Sequence, residues 1–125
     1  MRVIVCGGRD LPETGPEAEQ YISLLCSKLE SVGASAVISG MARGGDHLGE
    51  AAADRMGLPI ERHPAQWHKW GKKAGILRNL EMLTNADGTI ALPGGKGTDH
   101  MKRSTLRDHK PLWVIHNPKQ QEMFG

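Results

Sequence analysis

The stretch TIALPGGKGT, residues 89–98, decides the fold of this chain, because an apolar strand stops at a proline and glycines lead into a helical pattern. Glycine adopts positive φ readily and lets a backbone approach a ligand closely. The N-terminus of the following helix presents free N–H groups and the positive end of its dipole. We therefore predict an anion site, most often for phosphate, built by Pro93, Gly94, Gly95, Gly97 and Thr98.

Two common phosphate motifs do not describe this stretch. In a Walker A loop the lysine precedes Ser or Thr, whereas Lys96 precedes Gly97. The Rossmann glycine fingerprint is missing as well. The anion site therefore belongs to another class of α/β protein.

Composition predicts one domain with a hydrophobic core. The chain has 125 residues, of which 38% are hydrophobic and 24% charged. Its formal net charge of +2 is too small to indicate a nucleic-acid partner. Cys6 and Cys26 are expected to be free thiols, which suits a reducing compartment. No apolar run reaches the length of a membrane span, and Met1 leads straight into a strand, so we expect a cytoplasmic chain without a signal peptide.

Five strand patterns alternate with helical patterns. The strands are expected at 2–6, 35–39, 58–63, 88–92 and 111–115. This alternation predicts a single three-layer, Rossmann-like α/β domain over 1–116, a parallel sheet with helices on both faces, followed by an irregular tail over 117–125. Pro59 cannot donate to a ladder, which places the third strand at an edge. Right-handed crossovers then favour the strand order 3-2-1-4-5.

Local signals predict where helices begin and what they bury. Thr14 and Glu17 are spaced as a capping box for the first helix, and Asp46 is typical of the N-cap of the second. A helix is also expected over about 74–85. Its buried apolar residues are expected to be Ile76, Leu80 and Leu83.

The first and fourth strands are neighbours where the winding reverses, and ligands of such sheets bind outside the carboxyl ends of the strands there. Gly7 and Gly8 follow the first strand, so they are expected to meet Gly94 and Gly95 in one crevice. Arg9 could reach the same anion, or pair with Asp10 at the surface, where such a pair contributes little.

The segment GMARGGD, 40–46, follows the second strand and points to the same crevice. Gly40 and Gly44 would allow a close approach to the ligand, and Arg43 could hold a phosphate or carboxylate bidentately. The alternative is a loop that merely starts a helix, with Asp46 as its cap and Arg43 in solvent.

A polar connection over 66–73 and the helix after it supply further candidates. Trp67 could stack a base and Lys73 could neutralise phosphate, although one of Trp67 and Trp70 is expected to anchor the connection to the core. Arg78, next to Asn79, lies beside apolar residues, and a partly buried arginine needs a partner. We therefore predict a functional Arg78, with Asn79 beside it as a ligand-binding residue.

Metal and cofactor chemistry is not indicated. The six histidines show no ligand spacing, and there is neither an HExxH motif nor a paired Cys/His set. A Ser nucleophile elbow is missing too. No metal or other cofactor is predicted.

Taken in order, several segments make the chain similar to the SLOG superfamily, in the YpsA-related (YspA-like) branch common in bacteria and phages. They are VIVCGGRD at 3–10, SGMARGGD at 39–46, PAQW at 64–67, GKKAGILRN at 71–79 and PGGKGT at 93–98. The superfamily includes the LOG-type phosphoribohydrolases, once called lysine decarboxylase-like, which cleave the N-glycosidic bond of nucleoside 5′-monophosphates.

The LOG pattern is an arginine on a helix, then a strand, then PGGxGTxxE. Arg78 matches the arginine and residues 93–98 match the loop, but Met101 stands where LOG enzymes carry the catalytic glutamate. That carboxylate would stabilise an oxocarbenium-like sugar. Asp46, Asp10 and Asp99 are the alternatives that could supply one from another direction.

Three functions follow from this resemblance. The first is an enzyme that holds a nucleoside monophosphate, with Arg78 and Asp46 as catalytic residues and Trp67 on the base. The second is a sensor or sequestering module that binds a small-molecule nucleotide without turnover. The third, single-stranded nucleic-acid binding as in the DprA-related branch, is opposed by the near-neutral charge. LOG relatives also imply a homodimer that completes the crevice.

Overall fold

The structure, a computed structural model, describes residues 1–119, so residues 120–125 of the predicted tail lie outside the described part. Strands and helices alternate along the chain as expected. The strands are β1 Arg2–Cys6, β2 Ala36–Ser39, β3 Ile60–Arg62, β4 Gly88–Ala91 and β5 Leu112–Val114. The helices are α1 Pro16–Ser31, α2 Gly45–Met56, α3 Trp67–Trp70, α4 Ala74–Asn85 and α5 Lys96–Arg107, with a 3₁₀ turn at Gly71–Lys73.

The sheet is entirely parallel and its order is β3-β2-β1-β4-β5, which confirms the predicted topology. The last residue of β1, Cys6, pairs with the last residue of β4, Ala91. Both strands therefore end at the same level, and the loops that follow them emerge side by side. Pro59 precedes the first residue of β3, an edge strand, so the ladder does not need its missing N–H.

Alternate residues of each strand face opposite layers of helices. Val3 and Val5 of β1 join the core formed with α1 and α2, whereas Ile4 and Cys6 join the core formed with α4 and α5. The core is thus divided by the sheet into two apolar layers. Both cysteines are free thiols. Within residues 1–119, no helix combines the length and the apolar character that a membrane crossing requires.

Two predicted helix caps are wrong. Helix α1 follows Gly15, whose φ of 93° sets the turn into the helix, and no side chain caps it, so Thr14 and Glu17 form no capping box. Helix α2 follows Gly44, so Asp46 lies inside its first turn and is not the N-cap. In both places a glycine with positive φ replaces the side-chain cap.

The predicted packing of α4 is wrong on one face. Leu83 is buried as expected, but Ile76 and Leu80 are 50% and 43% exposed. The connection before α4 also differs from the prediction, since it folds as α3 and the 3₁₀ turn. Trp67 and Trp70 are both nearly half exposed, so neither anchors this connection in the core.

Candidate functional site

A cleft of about 860 Å³ opens at the carboxyl ends of β1 and β4, the point at which the winding of the sheet reverses. One wall is the loop after β1, and the opposite wall is the loop 93–98 with the first turns of α5. Helix α4 closes one side with Gly75, Ile76, Arg78, Asn79 and Met82. The predicted meeting of glycine turns at the switch point is therefore present, and it borders a cavity.

Several of these glycines hold the loops together by close backbone packing. The N–H of Gly8 donates to the carbonyl of Pro93 at 2.8 Å, and a Cβ on Gly94 would lie 2.8 Å from that same nitrogen. A Cβ on Gly45 would overlap the backbone of Gly7. These glycines are required because the loops after β1, β2 and β4 touch one another.

Gly44 fixes the loop after β2 through its backbone. Its φ is 81°, and a Cβ there would overlap the carbonyl oxygen of Gly8. Its N–H donates to the Glu13 carboxylate at 2.7 Å, and a second oxygen of Glu13 lies 2.9 Å from His47 Nδ1. The backbone N–H of Gly44, together with His47, lowers the pKa of Glu13. Gly44 thus braces the loops and does not line the cleft.

Gly95 and Gly97 are different, although they belong to the same motif. A Cβ built on either residue would have no atom within 4 Å. Gly95 is the N-cap residue of α5 and Gly97 lies in its first turn, where backbone N–H groups have no helical partner. Both residues line the cleft, and no packing inside the described chain requires a glycine at either position.

Arg78 is partly buried and bonded to backbone. Its Nη1 donates to the carbonyl of Gly40 at 2.8 Å, and its Nε donates to Asn79 Oδ1 at 3.3 Å. A Cβ on Gly40 would lie 2.9 Å from both the Cδ of Arg78 and the Oδ2 of Asp46. Gly40 therefore makes room for these two side chains and does not itself line the cleft. Burial lowers the pKa of Arg78, and the nearby Asp46 carboxyl opposes that shift.

Asp46 places a buried carboxyl on the cleft wall. The residue is 6% exposed, and its Oδ2 accepts the N–H of Ala42 at 3.1 Å. Burial raises the pKa of Asp46 to about 6, although the Ala42 N–H and the charge of Arg78 act in the opposite direction. A carboxyl group with this pKa can give or take a proton close to neutral pH.

Cationic side chains surround the mouth of the cleft. Besides Arg78 they are Arg9, Lys72, Lys96 and Arg103, with Asp10 as the acidic residue among them. Two predicted cationic phosphate ligands, Arg43 and Lys73, are exposed and do not line the cleft. Lys72, the residue before Lys73, does line it. Trp67 lines the cleft, whereas Trp70 lies under Lys69 Nζ at 5.0 Å.

The cleft lining contains the predicted Asn79 and, beside it, His100, which sequence reasoning missed. Asn79 Nδ2 lies 3.2 Å from His100 Nδ1 and 3.4 Å from the carbonyl oxygen of Gly97. Burial, together with Arg103 and Arg107, lowers the pKa of His100. Since His100 lies one helical turn after Gly97, the i to i+3 spacing was the available signal.

Met101 is buried, so the side chain at the position of the LOG glutamate is apolar and 1% exposed. Within residues 1–119, no group of three or more His, Cys, Asp or Glu side chains is arranged to hold a metal ion.

A doubly wound parallel sheet with a cleft at its switch point defines a Rossmann-like α/β protein. The sequence profile of the YspA, cpYpsA-related SLOG family matches residues 1–70, which is more than half of the chain. The chain therefore belongs to this family, as the motifs predicted.

Two further comparisons found similar proteins. The Gene 61 protein of Mycobacterium phage D29 is 37% identical over 84 residues, which cover 61% of this chain and 67% of the phage protein. The X-ray structure of TM1055, a structural genomics target, superposes with a TM-score of 0.69 at 20% identity, covering 89% of this chain and 71% of that one. At this identity the second match shows the fold alone.

Proposed function

We propose that the cleft binds a nucleotide or a nucleotide-derived small molecule, with its phosphate at the N-terminus of α5. The observation that carries this proposal is the open space in front of Gly95 and Gly97. Free backbone N–H groups and the positive end of a 12-residue helix dipole lie there. Neither glycine is needed for packing, so a ligand that must approach the backbone explains both.

The rest of the cleft supports a ligand with an anionic end and a flat end. Arg9, Arg78 and Lys96 supply positive charge on several sides of the loop. Trp67 offers an exposed aromatic face for a base. A cleft of about 860 Å³ lies within the range of small-molecule sites, which is roughly 300–1,000 Å³. The SLOG family and the Rossmann-like fold are consistent with such a nucleotide-related function.

A second candidate is hydrolysis of the N-glycosidic bond of a nucleoside 5′-monophosphate, and Asp46 is the observation that favours it. In this reaction water adds to the sugar C1′ as the base leaves with a proton. Asp46 would give that proton or stabilise the positive sugar, and Arg78 would hold the substrate. Because Met101 supplies no carboxylate, Asp46, which also lines the cleft, would replace the LOG glutamate.

The test is binding and turnover with a panel of nucleoside 5′-monophosphates. Titration calorimetry measures affinity, and chromatography measures free base, for the natural chain, Arg78→Lys and Asp46→Asn. Asp54→Asn, on the same helix but exposed and outside the cleft, is the matched control. Base release that Asp46→Asn abolishes identifies a hydrolase, and binding without release identifies a sensor or sequestering module. Absence of binding to every nucleotide overturns the proposal.

We also propose that two copies of the chain associate through the apolar face beside the cleft. This face consists of Trp67, Trp70, Ile76, Leu77 and Leu80, each 38–50% exposed. Large exposed apolar patches mark interaction sites, and a patch that pairs with its own copy forms a twofold dimer. Trp67 and Ile76 also line the cleft, so the second copy would extend the cleft wall.

Sedimentation equilibrium tests the association. The natural chain and the control Leu106→Lys, which changes an exposed leucine of α5, are expected to be dimeric, whereas Leu80→Lys is expected to be monomeric. A natural chain that stays monomeric at high micromolar concentration contradicts this proposal and leaves the nucleotide proposal standing.

A further inference from the structure

We propose that His100 is a ligand-binding residue. Asn79 holds its ring in the neutral form with the proton on Nε2, and this N–H donates a hydrogen bond to an acceptor atom of the ligand. The inference rests on the proposed function, because the ligand is taken to be a nucleotide in the cleft. It adds a specificity-determining residue that lies outside the SLOG motifs and has no spacing typical of a metal ligand.

The orientation of the Asn79 amide is fixed from two sides. Arg78 Nε, which can only donate, lies 3.3 Å from Asn79 Oδ1. The carbonyl oxygen of Gly97, which can only accept, lies 3.4 Å from Asn79 Nδ2. A flipped amide would place donor against donor and acceptor against acceptor. Asn79 is 6% exposed, so water does not compensate for such a flip.

The tautomer of His100 follows from this orientation. Asn79 Nδ2 is a donor and lies 3.2 Å from His100 Nδ1, so Nδ1 accepts and carries no hydrogen. The proton of the neutral ring is therefore on Nε2. Over residues 1–119 Nε2 has no hydrogen-bond partner. It is also accessible, because it is not among the buried side-chain atoms that lack a partner. His100 lines the cleft, so this donor is available to a ligand.

Burial and the cationic neighbours of His100 favour the neutral ring. On its own helix Arg103 and Arg107 lie near it, and α4 contributes Arg78 behind Asn79. Burial and the two α5 arginines lower the pKa of His100. A second proton would go to Nδ1, which already faces the Asn79 amide hydrogens. His100 therefore presents a neutral N–H donor in the cleft, which an acceptor oxygen or nitrogen of the ligand can use.

The tautomer can be measured without any ligand. In a ¹⁵N–¹H correlation spectrum of the full chain at pH 7, His100 is expected to show an unprotonated Nδ1 and a protonated Nε2. In Asn79→Asp a carboxylate faces Nδ1, so the proton is expected to move to Nδ1 or the ring to become charged. A protonated Nδ1 in the natural chain overturns the inference.

The ligand contact is measured with adenosine 5′-monophosphate. Gln places its amide nitrogen near the position of Nε2, whereas Asn places it near Nδ1. We expect His100→Gln to keep affinity within about twofold and His100→Asn and His100→Ala to lose roughly fivefold, as for one neutral hydrogen bond. Equal affinity of His100→Ala and the natural chain overturns the contact.

These two readouts separate the inference from the proposed function. If no nucleotide binds the natural chain, the proposed function and the ligand contact both fail, while the ligand-free spectrum still decides the role of Asn79. If nucleotides bind and the spectrum shows the other tautomer, the inference alone fails.

Discussion

The glycines in the loops around the cleft look alike in sequence and differ in what surrounds them. Gly45 and Gly94 sit where a Cβ would strike a neighbouring loop, whereas Gly95 and Gly97 face open space. The first pair makes the fold possible by letting three loops touch. The second pair leaves room for something that is not part of the chain. A single motif, PGGKGT, thus contains both kinds of glycine.

Because of this difference, substitution by alanine is expected to change the free energy of unfolding in opposite directions for the two groups of glycines. Where the backbone of a neighbour occupies the space, a methyl group destabilises the fold. Where space is open and φ is negative, the same methyl group stabilises a helix by restricting the unfolded chain. Substitution by alanine therefore distinguishes structural glycines from ligand-facing ones.

The largest effect is expected for Gly45→Ala. Its Cβ would overlap the backbone of Gly7, which cannot move without shifting β1. We expect a loss of roughly 3 kcal/mol or more in the free energy of unfolding, measured by urea titration. Gly75→Ala is the control, since its Cβ would meet Trp67 at an ordinary 3.6 Å. Similar stability of the two variants would contradict the distinction.

Asp46→Asn is expected to have an intermediate, pH-dependent effect. Burial raises the pKa of Asp46 from 3.8 to about 6 in the folded chain, so the folded state holds the proton more tightly than the unfolded state. The natural chain therefore loses stability as pH rises from about 4 to about 6, by on the order of 2–3 kcal/mol. The asparagine variant lacks this loss.

Thermal unfolding from pH 4 to pH 7.5 measures this pH-dependent loss of stability. The stability of Asp46→Asn relative to the natural chain should grow through this window, while that of the exposed Asp54→Asn should stay flat. A constant difference for Asp46→Asn would show that its carboxyl titrates normally. Confirmation would mean that the cleft keeps a carboxyl at a cost in stability, as functional sites do.

Gly97→Ala is expected to have the smallest effect on stability, and in the favourable direction. Gly97 lies in the first turn of α5 with nothing within 4 Å of a built Cβ. We expect a gain of about 0.5–1 kcal/mol in the free energy of unfolding, measured in the same urea titration. A loss of stability in Gly97→Ala would contradict the open space at this position, because it would mean that the added methyl group meets a neighbouring atom.

The fold was predictable because its signals are local. Strands β1, β2 and β4 are short runs rich in β-branched residues, a glycine or proline lies at or beside one end of each strand, and Pro59 marked the edge strand. The helix caps were not predictable in the same way. Glycines at 15 and 44 adopt positive φ and are the N-cap residues, one residue after Thr14 and two residues before Asp46.

The site was predictable in its backbone and less so in its side chains. The sheet order brings the glycine turns together, as expected from topology. Periodicity in α4 shows that Ile76 and Leu80 share a face, but it does not reveal that nothing within the described chain covers that face. The pair of Asn79 and His100 depends on how α4 packs on α5, which no local pattern encodes.

The most direct measurement is the affinity of Gly97→Ala for adenosine 5′-monophosphate, determined by titration calorimetry beside the natural chain and the control Asp54→Asn, which is exposed and outside the cleft. If the open glycines face the phosphate, the natural chain binds and Gly97→Ala loses tenfold or more, about 1.4 kcal/mol, even though its fold is more stable. Equal affinity of Gly97→Ala and the natural chain, or no binding by either, would contradict this assignment of the loop.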